Sequence, residues 1–270
     1  MKFAVKIWKD MLAIFKKNPK VFVPFIILGG LNAVLLYVLY LVPQRPVSVV
    51  LAPPIRAFFG QRFLQYPLNI FLLPRLFNYA HLFLSASVGI LMTGLIIGML
   101  KDVQAGRNPK VLVNLVNSLR RFLTMLGIWT VVFLLSFSVT KLTGMLNLGS
   151  KFSLAMSIFT YIVIIFIQII FIYSMPAVII EGKNVFTALK RGILFFKRFM
   201  FPTFLLTMIP SLLYIPVIIL KQNLVGLVNK SYPEAVILVM SAGIFVTFII
   251  DIFFTAAPTI VFLNEKEKGI

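Results

Sequence analysis

Asp251 is the residue whose type and position most directly suggest chemistry. It is the one charged residue inside the last long apolar run, 235–263. A charge at mid-membrane costs about 2.5 kcal/mol or more, so this carboxyl group should face protein or water and not lipid. It is then either an ion- or proton-coupled site or a protonated structural anchor bonded to another helix. Gln168, in the fourth apolar run, is a candidate member of the same intramembrane polar site.

The other residue types that commonly carry catalysis are scarce. The chain has one histidine, His81, and no cysteine, which excludes disulfides, thiol nucleophiles and cysteine-ligated metals. We interpret His81, at the outer start of the second apolar run, as an interfacial polar group without a relay partner. No two acids have a helical spacing suited to a metal or a shared proton. The sequence therefore predicts a protein that is not an enzyme, with no catalytic residue, metal site or cofactor.

The composition predicts that these residues are held in an integral membrane protein. Hydrophobic residues make up 60% of the chain and charged residues 12%, against roughly 25% charged in soluble domains. A soluble fold could not cover its surface with so few polar side chains. The formal net charge is +19. Because the basic residues flank apolar runs, we expect anionic membrane lipid as the partner, and no nucleic acid.

Six apolar runs are long enough for a helix to cross the hydrocarbon core, which takes about 20 residues. They are 21–41, 80–100, 122–140, 152–180, 199–220 and 235–263. The alternating pattern of a membrane barrel is missing, so we predict an all-α integral membrane protein with a single domain over 1–270. Of the 26 Lys and Arg residues, 18 flank the end that carries both termini. This bias predicts an inner (cytoplasmic) membrane protein with both termini in the cytoplasm.

A basic amphipathic segment precedes the first, third and fifth apolar runs. Each combines an apolar stripe at helical spacing with a basic opposite face, which is typical of a helix lying in the membrane interface. We predict that their basic side chains bind anionic lipid headgroups. These residues are Lys16, Lys17, Arg120, Arg121, Lys190, Arg191, Lys197 and Arg198.

The alternation of basic helix and apolar hairpin predicts three pseudo-repeats, at about 1–100, 101–180 and 181–263. A basic pair closes each amphipathic segment, and Pro176 and Pro258 precede two of the predicted exits. A true internal repeat is one interpretation of this pattern. The other is that the chain has no repeat, because any membrane hairpin flanked by positive charge looks similar. The apolar, proline-rich segment 42–79 departs from it. We expect this outer insertion to form short interfacial or re-entrant pieces.

Small residues in the second apolar run predict close helix packing. Gly89 is followed by Gly94 and Gly98, four residues apart. Such spacing lets two helices approach closely, either inside one bundle or between subunits. In the fifth run, Pro210 and Pro216 are expected to kink the helix and free backbone carbonyl groups.

Two stretches carry a resemblance to known proteins. They are the opening 4–25, with its run KKNPKVFVPF, and the segment 175–199, which reads MPAVIIEGKNVFTALKRGILFFKRF. The chain resembles a broad group of bacterial and archaeal six-span proteins, which includes the membrane domain fused to some glycerophosphodiester phosphodiesterases. The resemblance implies a six-span fold in a membrane. It implies no activity, because the group has no agreed one.

These features predict a polytopic inner-membrane protein with a non-enzymatic transport-type or accessory (scaffold) role, in contact with anionic lipid. One alternative is a permease subunit that works with a separate cytoplasmic ATPase and uses a basic helix as its coupling helix. Another is a lipid-modifying enzyme, which the shortage of His and acidic residues disfavours. A polar cavity around Asp251 would favour ion coupling, whereas a dry, closed bundle would favour a scaffold.

Overall fold

The computed structural model describes residues 2–66, 68–145, 153–222 and 233–267, and all structural statements concern these residues. Every regular element in these ranges is helical, and six helices are long and apolar enough to cross a membrane. They are Pro19–Tyr40, Leu68–Gln104, Phe122–Met145, Leu154–Glu181, Met200–Lys221 and Ala235–Lys266, here called spans one to six. The predicted all-α, multi-pass membrane architecture is confirmed. Three basic residues of the charge count, Lys151, Lys230 and Lys268, lie outside the described ranges.

Several spans are built from more than one helix. The helices are α1 Lys2–Lys17, α2 Val23–Tyr40, α3 Val47–Phe59, α4 Leu68–Leu84, α5 Ile90–Gln104, α6 Val111–Arg120, α7 Phe122–Met145, α8 Ser153–Phe171, α9 Ser174–Glu181, α10 Val185–Arg198, α11 Met200–Leu212, α12 Ile215–Gln222 and α13 Ala235–Glu267. A π-helical turn, Ser85–Gly89, joins α4 to α5. The spans pack as three hairpins, α2 with α4, α7 with α8, and α11 with α13.

The basic helices α1, α6 and α10 precede spans one, three and five, but they bury different faces. The apolar stripe of α1, including Ile7, Met11 and Phe15, is buried in the protein core, where α1 packs against α11 and α13. This face therefore contacts protein and not lipid, contrary to the prediction of an interfacial helix. It lies in a groove between spans five and six. Helix α6 does the opposite and leaves Leu112 and Leu119 exposed on its outer face.

Helix α6 rests on α5 through polar and small residues. Asn114 and Ser118 of α6 are buried. A Cβ atom at Gly98 would lie 2.5 Å from Asn114 Oδ1, and one at Gly94 would lie 2.8 Å from Ser118 Oγ. These two glycines therefore permit the close approach of helices within one bundle. Gly89 does not take part, since the nearest atoms to a Cβ there are 3.7 Å away in its own segment.

The second span begins earlier than the apolar pattern predicts. Its helix starts at Leu68 and not at Ala80, and it continues through Pro74. The outer segment 42–79 thus comprises α3, a short 3₁₀ turn and the first part of α4. Helix α3 packs on α4 through a small apolar cluster that includes Ile55 and Leu72.

The apolar core is divided into a large and a small cluster along α13. The small one joins α2, α4 and α13 and includes Leu36, Phe77 and Met240. The large one joins the basic helices to the remaining spans, and its buried members on α13 begin at Ala256. Asp251 lies on the stretch of α13 between these two buried groups, where apolar packing is incomplete.

Prolines interrupt the fourth and fifth spans. Helix α8 ends at Phe171, and α9 begins at Ser174, two residues before Pro176. Helix α11 ends at Leu212 and α12 begins at Ile215, directly before Pro216. Proline has no N–H group and its ring clashes with the preceding turn, so breaks at these positions are expected. The second break leaves Tyr214 free to face the interior of the bundle.

Candidate functional site

A cavity of about 70 Å³ lies beside Asp251 and is lined by both apolar and polar residues from four spans. We call it the Asp251 cavity. Its polar lining includes Asn32, His81, Tyr214, Lys221, Thr247 and Asp251. A cavity that is both polar and this large has room for a small number of water molecules or a cation. Side chains therefore do not fill the space around the intramembrane acid.

Asp251 is half-buried, and within the described ranges its carboxyl group has no hydrogen bond or ion pair. Lys221 lines the same cavity, although its Nζ atom donates a hydrogen bond to Tyr214 Oη at 2.8 Å. The sequence pattern placed Lys221 outside the fifth span, whereas it is the last residue of that span. The carboxyl oxygens of Asp251 are free to accept hydrogen bonds from water or to coordinate a cation.

His81 lies at the centre of a polar contact and not at an isolated interfacial position. Its Nδ1 atom is 2.7 Å from Asn32 Oδ1, and its Nε2 atom is 3.4 Å from Ser85 Oγ. The ring stacks on Phe77 with a centroid distance of 5.6 Å. The interpretation of His81 as a group without a partner is therefore wrong. Asn32 comes from span one, 49 residues away in the chain.

A second, larger cavity of about 470 Å³ is also lined by His81. We call it the Gln168 cavity. Its aromatic walls include Trp129 and Phe133, whose rings stack at 5.0 Å. Its polar lining includes Ser85, Thr93, Ser136, Gln168, Thr255 and Thr259. An apolar pocket with a few convergent polar groups is the usual form of a small-molecule site, and this volume lies in the usual range.

The two residues of the predicted intramembrane site therefore line different cavities. Asp251 belongs to one and Gln168 to the other, while Asn78 and His81 line both. The Asp251 cavity contains groups that the sequence pattern did not assign to a site, above all His81 and Lys221. The only available signal was residue type, because the sequence pattern does not show which helix faces meet.

The predicted headgroup-binding residues divide into free and engaged side chains. Arg121 donates a hydrogen bond from Nη1 to the carbonyl oxygen of Gly182 at 3.1 Å. Arg191 forms an ion pair with Glu181 at 3.4 Å. The exposed remainder comprises Lys16, Lys17, Arg120, Lys190, Lys197 and Arg198. Only part of the predicted set is thus available for lipid without breaking a protein contact.

Metal ligation has no obvious place in the described part of the chain. No group of three or more His, Asp or Glu residues close enough to hold a metal ion is found there. The carboxyl group of Asp251 could contribute one ligand to a loosely held monovalent cation, with neutral oxygen atoms and water completing its shell.

Comparison with known proteins assigns no family or function to this chain, so its function must be argued from the geometry of the cavities. No protein-family model matches the chain, and no curated protein and no solved structure is significantly similar to it. The resemblance to the membrane domain of glycerophosphodiester phosphodiesterases therefore stays a prediction.

Proposed function

We propose that this protein transports a small solute or ion across the membrane and that the Asp251 cavity is its proton- or cation-binding site. One observation carries the proposal. A carboxyl group without a protein partner in the described ranges, Asp251, borders a polar cavity in the middle of an otherwise apolar bundle. Ionisable residues inside membrane spans commonly mark substrate or ion pathways.

The adjacent cavity supports a coupled mechanism. The Gln168 cavity is several times larger than the Asp251 cavity, and His81 and Asn78 border both. A solute in the larger cavity and a proton or cation in the smaller one would then have His81 as a common neighbour. Protonation of His81 or a change in its hydrogen bonds would then alter both sites together. The helix break before Pro216 and the π-helical turn at 85–89 border these cavities, so the helical backbone beside them is irregular.

The proposed role is non-enzymatic and belongs to an inner membrane, with both termini in the cytoplasm. The asymmetric distribution of Lys and Arg supports this orientation. The exposed basic residues of α1, α6 and α10 support contact with anionic lipid headgroups. A permease subunit with a separate ATPase would share this location and differ in its energy source.

Accessibility of the Asp251 cavity to water tests the proposal. The chain contains no cysteine, so a single Thr247→Cys substitution places one thiol in the cavity, one turn from Asp251. A membrane-impermeant methanethiosulfonate reagent should label this thiol in proteoliposomes, because the thiolate that forms in water attacks the reagent's sulfur, forms a mixed disulfide and displaces methanesulfinate. Labelling is measured by mass spectrometry after addition of the reagent to each side separately.

Phe245→Cys is the matched control. Phe245 lies on the same helix, and its side chain is 64% exposed on the outside of the bundle, where lipid should cover it. We expect its labelling to be at least tenfold slower than that of Thr247→Cys. If Thr247→Cys is as unreactive as this control from both sides, no aqueous pathway leads to the cavity and a scaffold role replaces transport.

A further inference from the structure

A polar pocket of about 580 Å³ lies where α5, α6 and the turn between α9 and α10 meet. We call it the Arg120 pocket. Its charged lining comprises Lys101, Asp102, Arg107, Arg120, Arg121 and Glu181. It is separate from the two cavities within the spans, with which it shares no lining residue. We propose that it binds a phosphate group; this proposal rests on the proposed contact with anionic headgroups, to which it gives a specific site, and not on the transport function.

The two acidic residues do not neutralise the pocket, because other residues already engage them. Asp102 pairs with Arg107 at 3.1 Å and also accepts a hydrogen bond from Asn114 Nδ2 at 2.7 Å. Glu181 pairs with Arg191 at 3.4 Å. Once each acid is assigned to its own arginine, the charges of Lys101, Arg120 and Arg121 remain uncompensated. The pocket is therefore an electropositive site.

The donors of these three basic residues are largely unused. Arg121 donates one hydrogen bond, to the carbonyl oxygen of Gly182. In the part of the chain that the structure describes, the side chains of Lys101 and Arg120 have no hydrogen bond or ion pair. Arg120 is exposed and Lys101 is half-buried. An anion that enters the pocket can thus accept several hydrogen bonds without displacing an existing protein contact.

Backbone constraints hold the pocket in shape. Gly182 has a positive φ of 72°, and a Cβ atom there would lie 3.0 Å from Arg121 Nη2. Glycine at this position therefore allows the Arg121 guanidinium to rest on the turn. On the opposite wall, Gly98 admits Asn114, which in turn holds Asp102. Separate close contacts therefore hold the two walls of the pocket, one at Arg121 and the other at Asp102.

Phosphate is the anion that this set of donors fits best. A planar guanidinium matches two phosphate oxygens with two parallel hydrogen bonds, and Lys101 adds a compact charge. The volume exceeds that of a bare phosphate ion, so the pocket can admit the group that carries the phosphate. Exposed Leu119 and Leu123 flank the arginine pair in the chain. A phospholipid headgroup is favoured over a soluble phosphate compound, since acyl chains could then cover these side chains.

The test compares two phosphate sources on the purified, delipidated protein in neutral detergent. One arm titrates short-chain phosphatidic acid and the other inorganic phosphate, and native mass spectrometry and thermal stability report binding. Lys101→Gln with Arg120→Gln should weaken binding of the favoured probe at least tenfold. Arg120→Lys keeps the charge but loses the planar fork, so we expect an intermediate loss.

The matched control is Arg56→Gln with Arg75→Gln, which removes two exposed basic residues that lie outside the pocket and outside the basic helices α1, α6 and α10. It should change affinity less than threefold. Saturable, pocket-dependent binding of phosphatidic acid identifies a headgroup site, and the same behaviour with inorganic phosphate alone identifies a soluble ligand. Equal losses in the pocket and control variants would show only diffuse surface attraction and overturn the proposal. Failure of both probes to bind would also overturn it. Neither result would bear on the labelling of Thr247→Cys.

Discussion

The hydrogen bond between Asn32 and His81 determines which imidazole nitrogen carries the proton. Asn32 Nδ2 already donates to the carbonyl oxygen of Leu28 at 3.0 Å, so its Oδ1 atom must be the acceptor for His81. Nδ1 therefore carries the hydrogen, and in neutral His81 the Nε2 atom is the acceptor. The hydroxyl group of Ser85, at 3.4 Å, is then only a weak hydrogen-bond partner for Nε2.

Asn32→Leu should lower the stability of the folded bundle. The substitution leaves His81 Nδ1 half-buried without its acceptor, which costs about 1–3 kcal/mol. Thermal unfolding in detergent measures the loss. The double variant Asn32→Leu/His81→Leu removes both partners and should be more stable than Asn32→Leu alone. A single variant as stable as the wild type would show that the pair contributes nothing.

Asp251→Asn and Asp251→Leu separate a coupling site from a structural anchor. If Asp251 binds a proton, a pH change should produce an infrared carboxyl band that Asp251→Asn removes without loss of thermal stability. If Asp251 is only a polar anchor, Asn should behave as the wild type, and Leu should lower stability. Leu with wild-type stability and an unchanged infrared spectrum would exclude both roles.

Asp251 could be recognised as a candidate site from residue type alone. A lone acid inside an apolar run raises the free energy of membrane insertion whichever way the helix faces. The Asn32–His81 contact was not predictable in the same way. Its two residues lie 49 positions apart, and their meeting depends on how α2 and α4 rotate against each other. Lys221 was assigned to a loop because it ends an apolar run, although its side chain returns to Tyr214.

At the scale of the helix, the contact between α5 and α6 depends on Gly98. Gly98→Ala would place a Cβ atom 2.5 Å from Asn114 Oδ1, so α6 must shift or Asn114 must release Asp102. We expect a loss of about 1–3 kcal/mol, the usual cost of overpacking. Gly30→Ala is the control, since no atom lies within 4 Å of a Cβ there. Equal melting temperatures for the two variants would contradict this packing.

The apolar runs located the six spans because crossing a membrane needs a long stretch of apolar side chains. The same reasoning misplaced the start of the second span. Pro74 and Arg75 were read as part of an interfacial segment, whereas they lie within α4. For α1, the amphipathic pattern identified the helix and its buried face. It did not distinguish burial against protein from burial in lipid, because both surroundings are apolar.

At the scale of the whole molecule, cysteine labelling tests which side of the membrane carries the two termini. Single cysteines at Lys16, Lys110 and Lys190 should resist an impermeant reagent in intact cells, because the excess of basic residues retains that end in the cytoplasm. Cysteines at Arg56 and Val50 should be labelled. All five positions are exposed on the protein, so protection can be ascribed to the membrane. Labelling at Lys110 or Lys190 would reverse the orientation.

The assembly of the bundle was less predictable than its spans. Adjacent spans pair as hairpins, but the separation between the large cluster and the small one along α13 follows from side-chain shapes that meet only in the folded chain. The Asp251 cavity lies at that division, since residues of both clusters line it. The three pseudo-repeats stay a prediction.

The position of Asp251 midway between Ala235 and Lys266 has an electrical consequence. A proton or monovalent cation that reaches this carboxyl group from either side crosses about half of the transmembrane potential. Crossing the full potential is worth about 2.3 kcal/mol per charge at 100 mV, so half is about 1.2 kcal/mol. Occupancy of the site should therefore change by roughly sevenfold for each 100 mV, because about 1.4 kcal/mol corresponds to a factor of ten. The polarity of the membrane, and not only the chemistry on its two sides, would then determine how often this carboxylate is filled.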